Sequence, residues 1–296
     1  GSSIIFADTI PILALIFKIF RSLIPDNFQY ISLWYFICFY LQLFFSFKII
    51  KKFTNSVPYS LVGSFFFLIS PILVIKLATI PALAGQWTLL IALYLGLSKK
   101  IDQAKWPWFF LIILSSLINF YFMIMIIAAY SLLRIFNFRF DKINIIKFIK
   151  DFIFITTFLL LILYVVGYFQ VRMADTMALG FGRDKLNLLS IFDSVNNIDN
   201  FRWSWFLPDI KLDMFQEYEG FNYFGLGQII LVLFALLLFF NKNYKINLQS
   251  IKNNKNIKKF FFIVFSFFFL IPNLFGTTSS DQQISLKKQI TRNKKL

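Results

Sequence analysis

Apolar residues in this chain gather in long unbroken runs rather than in alternation. Seven such runs stand out, at about Tyr30–Ile50, Ser60–Leu77, Ala82–Ser98, Pro107–Leu133, Phe152–Phe169, Tyr223–Phe240 and Phe260–Phe275. Most approach the roughly 17–25 residues an α-helix needs to cross hydrocarbon. Lipid accepts only helices and closed barrels, because nothing there can bond a bare backbone. A barrel strand would alternate with period two, and these runs do not. The pattern therefore predicts an all-α fold, a polytopic transmembrane helical bundle whose first partner is the lipid bilayer. A shorter run, Thr9–Leu23, carries Lys18 and Arg21. It suits an amphipathic helix lying in the interface.

The polar punctuation orients the runs. Lys48, Lys51 and Lys52 follow the first. Lys99, Lys100 and Lys105 precede Pro107. Arg134, Arg139, Lys142, Lys147 and Lys150 follow Leu133, and Lys242, Lys245, Lys252, Lys255, Lys258 and Lys259 follow Phe240. Only Asp102, Asp141 and Asp151 oppose them. Short loops rich in Lys and Arg stay in the cytoplasm, so these four segments are expected inside. Gly1–Gln29, the Lys76–Pro81 turn and the loop of about 170–222 are then outside. That loop carries Asp175, Asp184, Asp193, Asp199, Asp209, Asp213, Glu217 and Glu219 against Arg172, Arg183, Lys185, Arg202 and Lys211, a charge balance opposite to that of the inner loops. The domain reading is a membrane domain over 1–275 and a polar tail over 276–296. An outside start with Gly1 in place of Met leads to the expectation of a further span upstream.

One run conflicts with this sorting. Pro107–Leu133 has basic segments on both sides, so it must cross an even number of times. Its 27 residues make either a helical hairpin or re-entrant element bending near Ser115–Tyr121, or one long tilted helix whose flank breaks the charge rule. Broken helices at membrane depth are tolerated where protein or a wet cavity surrounds them.

Composition narrows the chemistry. The chain is 58% apolar and 15% charged, with 43 Phe, too apolar for a soluble core of this size to hide. The net charge of +16 sits in short inter-run stretches, which points to membrane orientation and away from nucleic acid. There is no His, and Cys38 is the single Cys. His-based metal sites, imidazole catalysis and an intrachain disulfide are all excluded. Acid–base work falls to Asp, Glu, Lys or Tyr, and a metal would have to take oxygen ligands, which suits Mg²⁺ or Mn²⁺.

Four constellations can carry chemistry. Asp8, in FADTIP, is either a general base or metal-linked acid or a plain helix cap ahead of Pro11. The turn IPALAGQW offers Gln86 and Trp87, with an interfacial aromatic belt as the ordinary alternative for the ring. Asn119 and Tyr121 lie inside the apolar run that is expected to bend, where an amide must bond another helix or face a polar cavity. Glu217, Tyr218 and Glu219, with Trp203, Trp205, Phe206, Phe221 and Tyr223 nearby, mix carboxylates with flat rings. Such a mixture suits a saccharide and equally suits a solvated loop resting on span ends.

The pieces FADTIPILALIFK, DNFQYISLWYFICFYLQ, PALAGQW, NFYFMIM, KLNLLSIFD and YEGFNYFGLG occur in this order. The set resembles domain-of-unknown-function family 6311, bacterial polytopic membrane proteins that look related to the glycosyltransferase C (GT-C) superfamily. The resemblance covers about Gly1–Phe240. It implies a GT-C-like bundle in the bacterial inner membrane with outward-facing loops. Such enzymes move a sugar from a polyprenyl-phosphate carrier to an acceptor at the non-cytoplasmic face. Their hallmark is an acid in the first outer loop, and Asp8 matches that position. Glu217 and Glu219 would be secondary acids, and Gln86, Trp87, Asn119, Tyr121 and Tyr218 would line the pocket. The chain departs from the family pattern at Ile80 and Asn119, where His is usual. A transporter or flippase for a lipid-linked saccharide and a non-catalytic membrane protein are the rival readings.

Overall fold

The computed structural model describes residues 10–25, 27–98, 105–136, 142–170, 188–196, 201–210 and 222–240. Among them the architecture is helical. The order is α1 Pro11–Ile19, α2 Ile31–Thr54, α3 Val57–Leu68, α4 Pro71–Thr79, α5 Trp87–Ser98, α6 Lys105–Ser116, α7 Phe120–Phe136, α8 Lys142–Val166 and α9 Leu226–Phe240. A two-residue antiparallel ladder, β1 Val195–Asn196 with β2 Phe201–Arg202, is the strand pairing among these residues. The chain divides into two compact units. The helices belong to the first, and residues 188–210 and 222–225 to the second.

Two helices, α2 and the Ile145–Val166 part of α8, are long and apolar enough to cross a membrane. Their outer faces are bare: Phe36, Tyr40, Ile153, Leu161, Tyr164 and Val165 are all exposed. Large apolar side chains on that scale need lipid or protein against them. The run at Phe260–Phe275 lies outside the described residues.

Helix ends follow local chemistry. Asn55 closes α2 in the left-handed conformation at φ 53°, and its N–H bonds to Lys51 O at 2.9 Å. Asn tolerates that region better than other side chains with a Cβ. Gly167 closes α8 at φ 94°, a backbone that suits only glycine well.

The structure breaks two of the runs. Ser60–Leu77, read as one span, is α3 and α4, bent by 42° at Ile69-Ser70. Pro71 causes the break: it has no N–H to continue α3, and its ring clashes with the preceding turn. The backbone consequence is met from elsewhere, since Gln228 Nε2 of α9 donates to Phe66 O at 2.8 Å. A carbonyl released by a broken helix thus finds its donor on another helix, as an apolar setting requires.

The second break turns Pro107–Leu133 into α6 and α7. They run antiparallel. Asp151 on α8 accepts from Lys105 at the start of α6 and from Arg134 Nη2 near the end of α7, the latter at 2.8 Å. One carboxylate can reach both only if the chain has doubled back. Trp108 and Tyr130, with ring centroids 5.7 Å apart, pair the same two helices deeper in. The bend falls at Leu117–Asn119, inside the expected Ser115–Tyr121 window. The single tilted helix is therefore ruled out.

Two details depart from expectation. The basic segment after Leu133 is not all loop, because Lys142–Lys150 is already the first part of α8. Lys76, which the charge pattern placed at the edge of an outer turn, is only 5% exposed. It sits within the packed face of α4 beside Leu73 and Leu77.

Asp151→Asn should lower the unfolding free energy by about 2–3 kcal/mol. That is less than the ~3–5 kcal/mol of a fully buried pair, because Lys105 keeps solvent contact. Thermal unfolding in detergent checks this. Lys105→Met should cost less than Asp151→Asn, and equal losses would mean that the carboxylate does not join the two helices.

Candidate functional site at the hairpin end of the bundle

The first unit has two chemically different ends. Lys48, Lys51, Lys105, Arg134 and Asp151 occupy one, where α2 and α7 end and α6 starts. Lys48 Nζ lies 4.3 Å from the Phe44 ring centre and 5.5 Å from that of Tyr94. These cation–π contacts hold the ammonium against the bundle edge.

Pieces distant in sequence meet at the other end. The α6–α7 bend is the hub. Leu117 O accepts from Ile12 N at 3.0 Å, which ties the start of α1 to the hairpin tip. Gly85, in the Pro81–Gln86 turn, packs on the residue that follows: a Cβ there would lie 2.8 Å from Ile118 Cγ2, 3.2 Å from Phe122 Cε2 and 3.2 Å from Ala82 O. Only glycine permits that approach. Trp34, in the first turn of α2, donates Nε1–H to Pro81 O at 2.7 Å, and its ring lies 6.2 Å from that of Trp87. Phe120, at the start of α7, tilts against Tyr168 beyond the end of α8, at 6.2 Å. Burial pushes the Tyr168 phenol above its ordinary pKa.

Within this cluster the expected site residues take definite roles. Trp87 is 3% exposed. It lies against Cys38 and Trp34 without a hydrogen bond of ordinary length at Nε1. Its ring is core, neither an interfacial belt nor an open platform. Gln86 is half-buried, and its carbonyl accepts from Leu89 N at 3.0 Å as α5 begins. Asn119 has a local partner for its oxygen: Oδ1 accepts from Tyr121 N at 2.9 Å and caps α7. Tyr121 is exposed on the first turn of α7. Asp8, Glu217, Tyr218 and Glu219 lie outside the described residues, so their placement adds nothing to the geometry.

Two residues escaped the sequence reading. Trp34 was legible: Trp34, Cys38, Gln42 and Ser46 recur every four residues and form one buried stripe on α2. Ile10 had no such signal. It is fully buried yet left-handed, at φ 50°. A β-branched residue ahead of proline rarely adopts that backbone, and such strain survives only where neighbours over-determine it. Here Ile10 O accepts from Leu13 N at 3.0 Å, and the next turn is pinned to Leu117. The chain is thereby turned sharply two residues after Asp8.

Among the described residues no three Cys, Asp or Glu gather as a metal site would require. The class these features define is a helical protein of membrane type, with apolar helices folded around a hairpin. The chain belongs to the family described as a domain of unknown function, DUF6311, whose model matches residues 1–284. Searches of curated proteins and of solved structures found no match.

Gly85→Ala should destabilise the protein by about 1–3 kcal/mol, since the added methyl meets backbone as well as side chains. Gly63→Ala, whose Cβ would meet only the mobile end of Ile50 at 2.8 Å, should cost less. Thermal melts of both variants in detergent test the contrast.

Proposed function

We propose that the chain is a multi-spanning membrane protein whose functional site is the hairpin end of the first unit, and that it is a GT-C-like transferase. It would move a sugar from a polyprenyl-phosphate carrier to an acceptor at the non-cytoplasmic face of the bacterial inner membrane. One observation carries the reading. The α1 start, the Pro81–Trp87 turn and the α6–α7 bend, far apart in sequence, pack together at the end away from the Lys105–Asp151–Arg134 cluster. Basic residues mark the cytoplasmic end, so the assembled end faces out, where lipid-linked sugars are used.

In this reading Asp8 is the catalytic carboxylate. It takes the proton of the acceptor hydroxyl as that oxygen attacks the anomeric carbon. The carbon–oxygen bond to phosphate breaks, and the carrier phosphate leaves with the electron pair. The left-handed backbone at Ile10, close to Asp8 in sequence, supports the role, since strain of that kind gathers at functional sites. Glu217 and Glu219 would assist, and Gln86, Tyr121 and Tyr218 would contact substrate. Trp87 and Asn119 support the site by packing and capping. Mg²⁺ or Mn²⁺ fits the donor chemistry, because a chain with no His and a buried Cys38 offers oxygen ligands. Such a cation would stabilise charge on the leaving phosphate.

A second reading, a transporter or flippase of a lipid-linked saccharide, draws support from the 42° break between α3 and α4, since discontinuous helices build transport sites. A reconstituted assay with a polyprenyl-phosphate sugar separates the two. Asp8→Asn should cut product formation by at least about 10²-fold with folding intact. Substrate crossing the bilayer without product, unaffected by Asp8→Asn, would favour transport, and neither result would leave a non-catalytic protein.

A further inference from the structure

The second unit presents an uncommon surface. Trp205 is 80% exposed and Phe206 is 86% exposed, side by side in the turn that follows β2. Exposed aromatics are ordinary on a loose loop, but this turn is tightly bonded. Ser194 is fully buried, and its Oγ–H donates to Ser204 O at 3.0 Å. Arg202 donates to the same carbonyl at 3.1 Å and to Leu207 O at 3.3 Å. Phe206 N donates to Ser204 Oγ at 3.2 Å, and Trp203 N to Ser194 O at 2.8 Å. Asp193, buried beneath, accepts from Val195 N at 3.2 Å and Ile210 N at 3.4 Å. The turn thus bonds several of its backbone groups internally and projects two largely exposed rings.

We infer that the Trp205–Phe206 turn is a wedge that inserts shallowly into the interface of the lipid bilayer. The inference rests on the membrane reading above but not on the sugar chemistry. Three observations favour lipid as the occupant. In chain order the segment falls between two apolar helices, α8 before it and α9 after it, so a chain anchored in lipid there keeps it within reach of the bilayer. Backbone groups that are already bonded lose less on leaving water, and in this turn Trp203 N, Phe206 N, Ser204 O and Leu207 O are bonded within the unit. The guanidinium of Arg202 lies 5.0 Å from the Trp205 ring centre. It covers one face, which a stacking sugar would need, while Trp edges favour the headgroup level. The surrounding loop has more acids than bases. Attraction to anionic lipid therefore contributes little, and the apolar rings supply the affinity.

The test uses the full chain in phosphatidylcholine nanodiscs. Cys38 is replaced by Ser, and single nitroxide labels are placed at 205, 206, 209 and, as bilayer references, at Val165 and Leu237, which are exposed on α8 and α9. Labels at 205 and 206 should be relaxed more by oxygen than by a water-soluble nickel chelate, with the opposite order at 209. Neither high salt nor anionic lipid should change the depth. Nickel access at 205 and 206 equal to that at 209, or shielding from both reagents as protein or saccharide would give, overturns the wedge. If 165 and 237 also sit in water, the membrane reading itself fails. A measurement without labels checks a misfolded variant: brominated lipid should quench less of the tryptophan emission in Trp205→Phe than in wild type. An unchanged quenchable fraction would likewise refute insertion.

Discussion

The constraint on which the fold depends is the pairing of one carboxylate with two cations across three helices. Asp151 on α8 holds the start of α6 and the end of α7 together. A single carboxylate against Lys105 and Arg134 leaves local positive charge at that end, so the same contact that closes the hairpin also helps to mark the bundle's polarity. In an apolar protein such a contact matters less for its net energy than for its uniqueness. Hydrophobic faces are interchangeable, and a charge that must not be left alone selects one arrangement among many. Closing the open end of the hairpin here determines where its tip must lie, and the tip is where the other pieces assemble.

Broken helices are the second theme. The chain interrupts α3–α4 at Pro71 and α6–α7 at Leu117–Asn119, and each interruption is chemically answered. Gln228 satisfies Phe66 O, Asn119 caps the restarted helix, and Ile12 donates to Leu117 O. Each break thus becomes a junction, because a released carbonyl in a dry setting is a strong attachment point for another element. The α1 start is held at the hairpin tip by a backbone bond of this kind. The Gly85 approach and the Trp34–Pro81 bond then bring in the Pro81–Trp87 turn.

Much of this was legible in the residues. Continuous apolarity without alternation indicated helices, and basic residues on both sides of Pro107–Leu133 required an even number of passes, which is why the hairpin could be anticipated with its bend. Those signals are local or additive, so no partner need be known to read them. The Ser70-Pro71 break was visible as a residue pair, but its tolerance depends on a glutamine 162 positions away. Asn119 shows a related limit: a costly amide in an apolar run suggested another helix or a polar cavity, while for its oxygen the helix restart supplied a partner two residues on. Lys76 was placed at a turn because sequence shows that a run ends nearby, not which face is packed.

By itself, then, the sequence determined that the chain is helical, where its apolar runs lie, which stretches carry positive charge and that imidazole chemistry is absent. Each follows from residue type and spacing along one strand of polymer. Tertiary structure alone decided that Trp87 is core, that Ile10 is held left-handed, that Asp151 serves two helices and that Trp205 and Phe206 stand bare on a bonded turn. These depend on which surfaces meet in three dimensions. Burial, strain and ion pairing are properties of neighbours, and in a chain so uniformly apolar the neighbours are not written in the pattern.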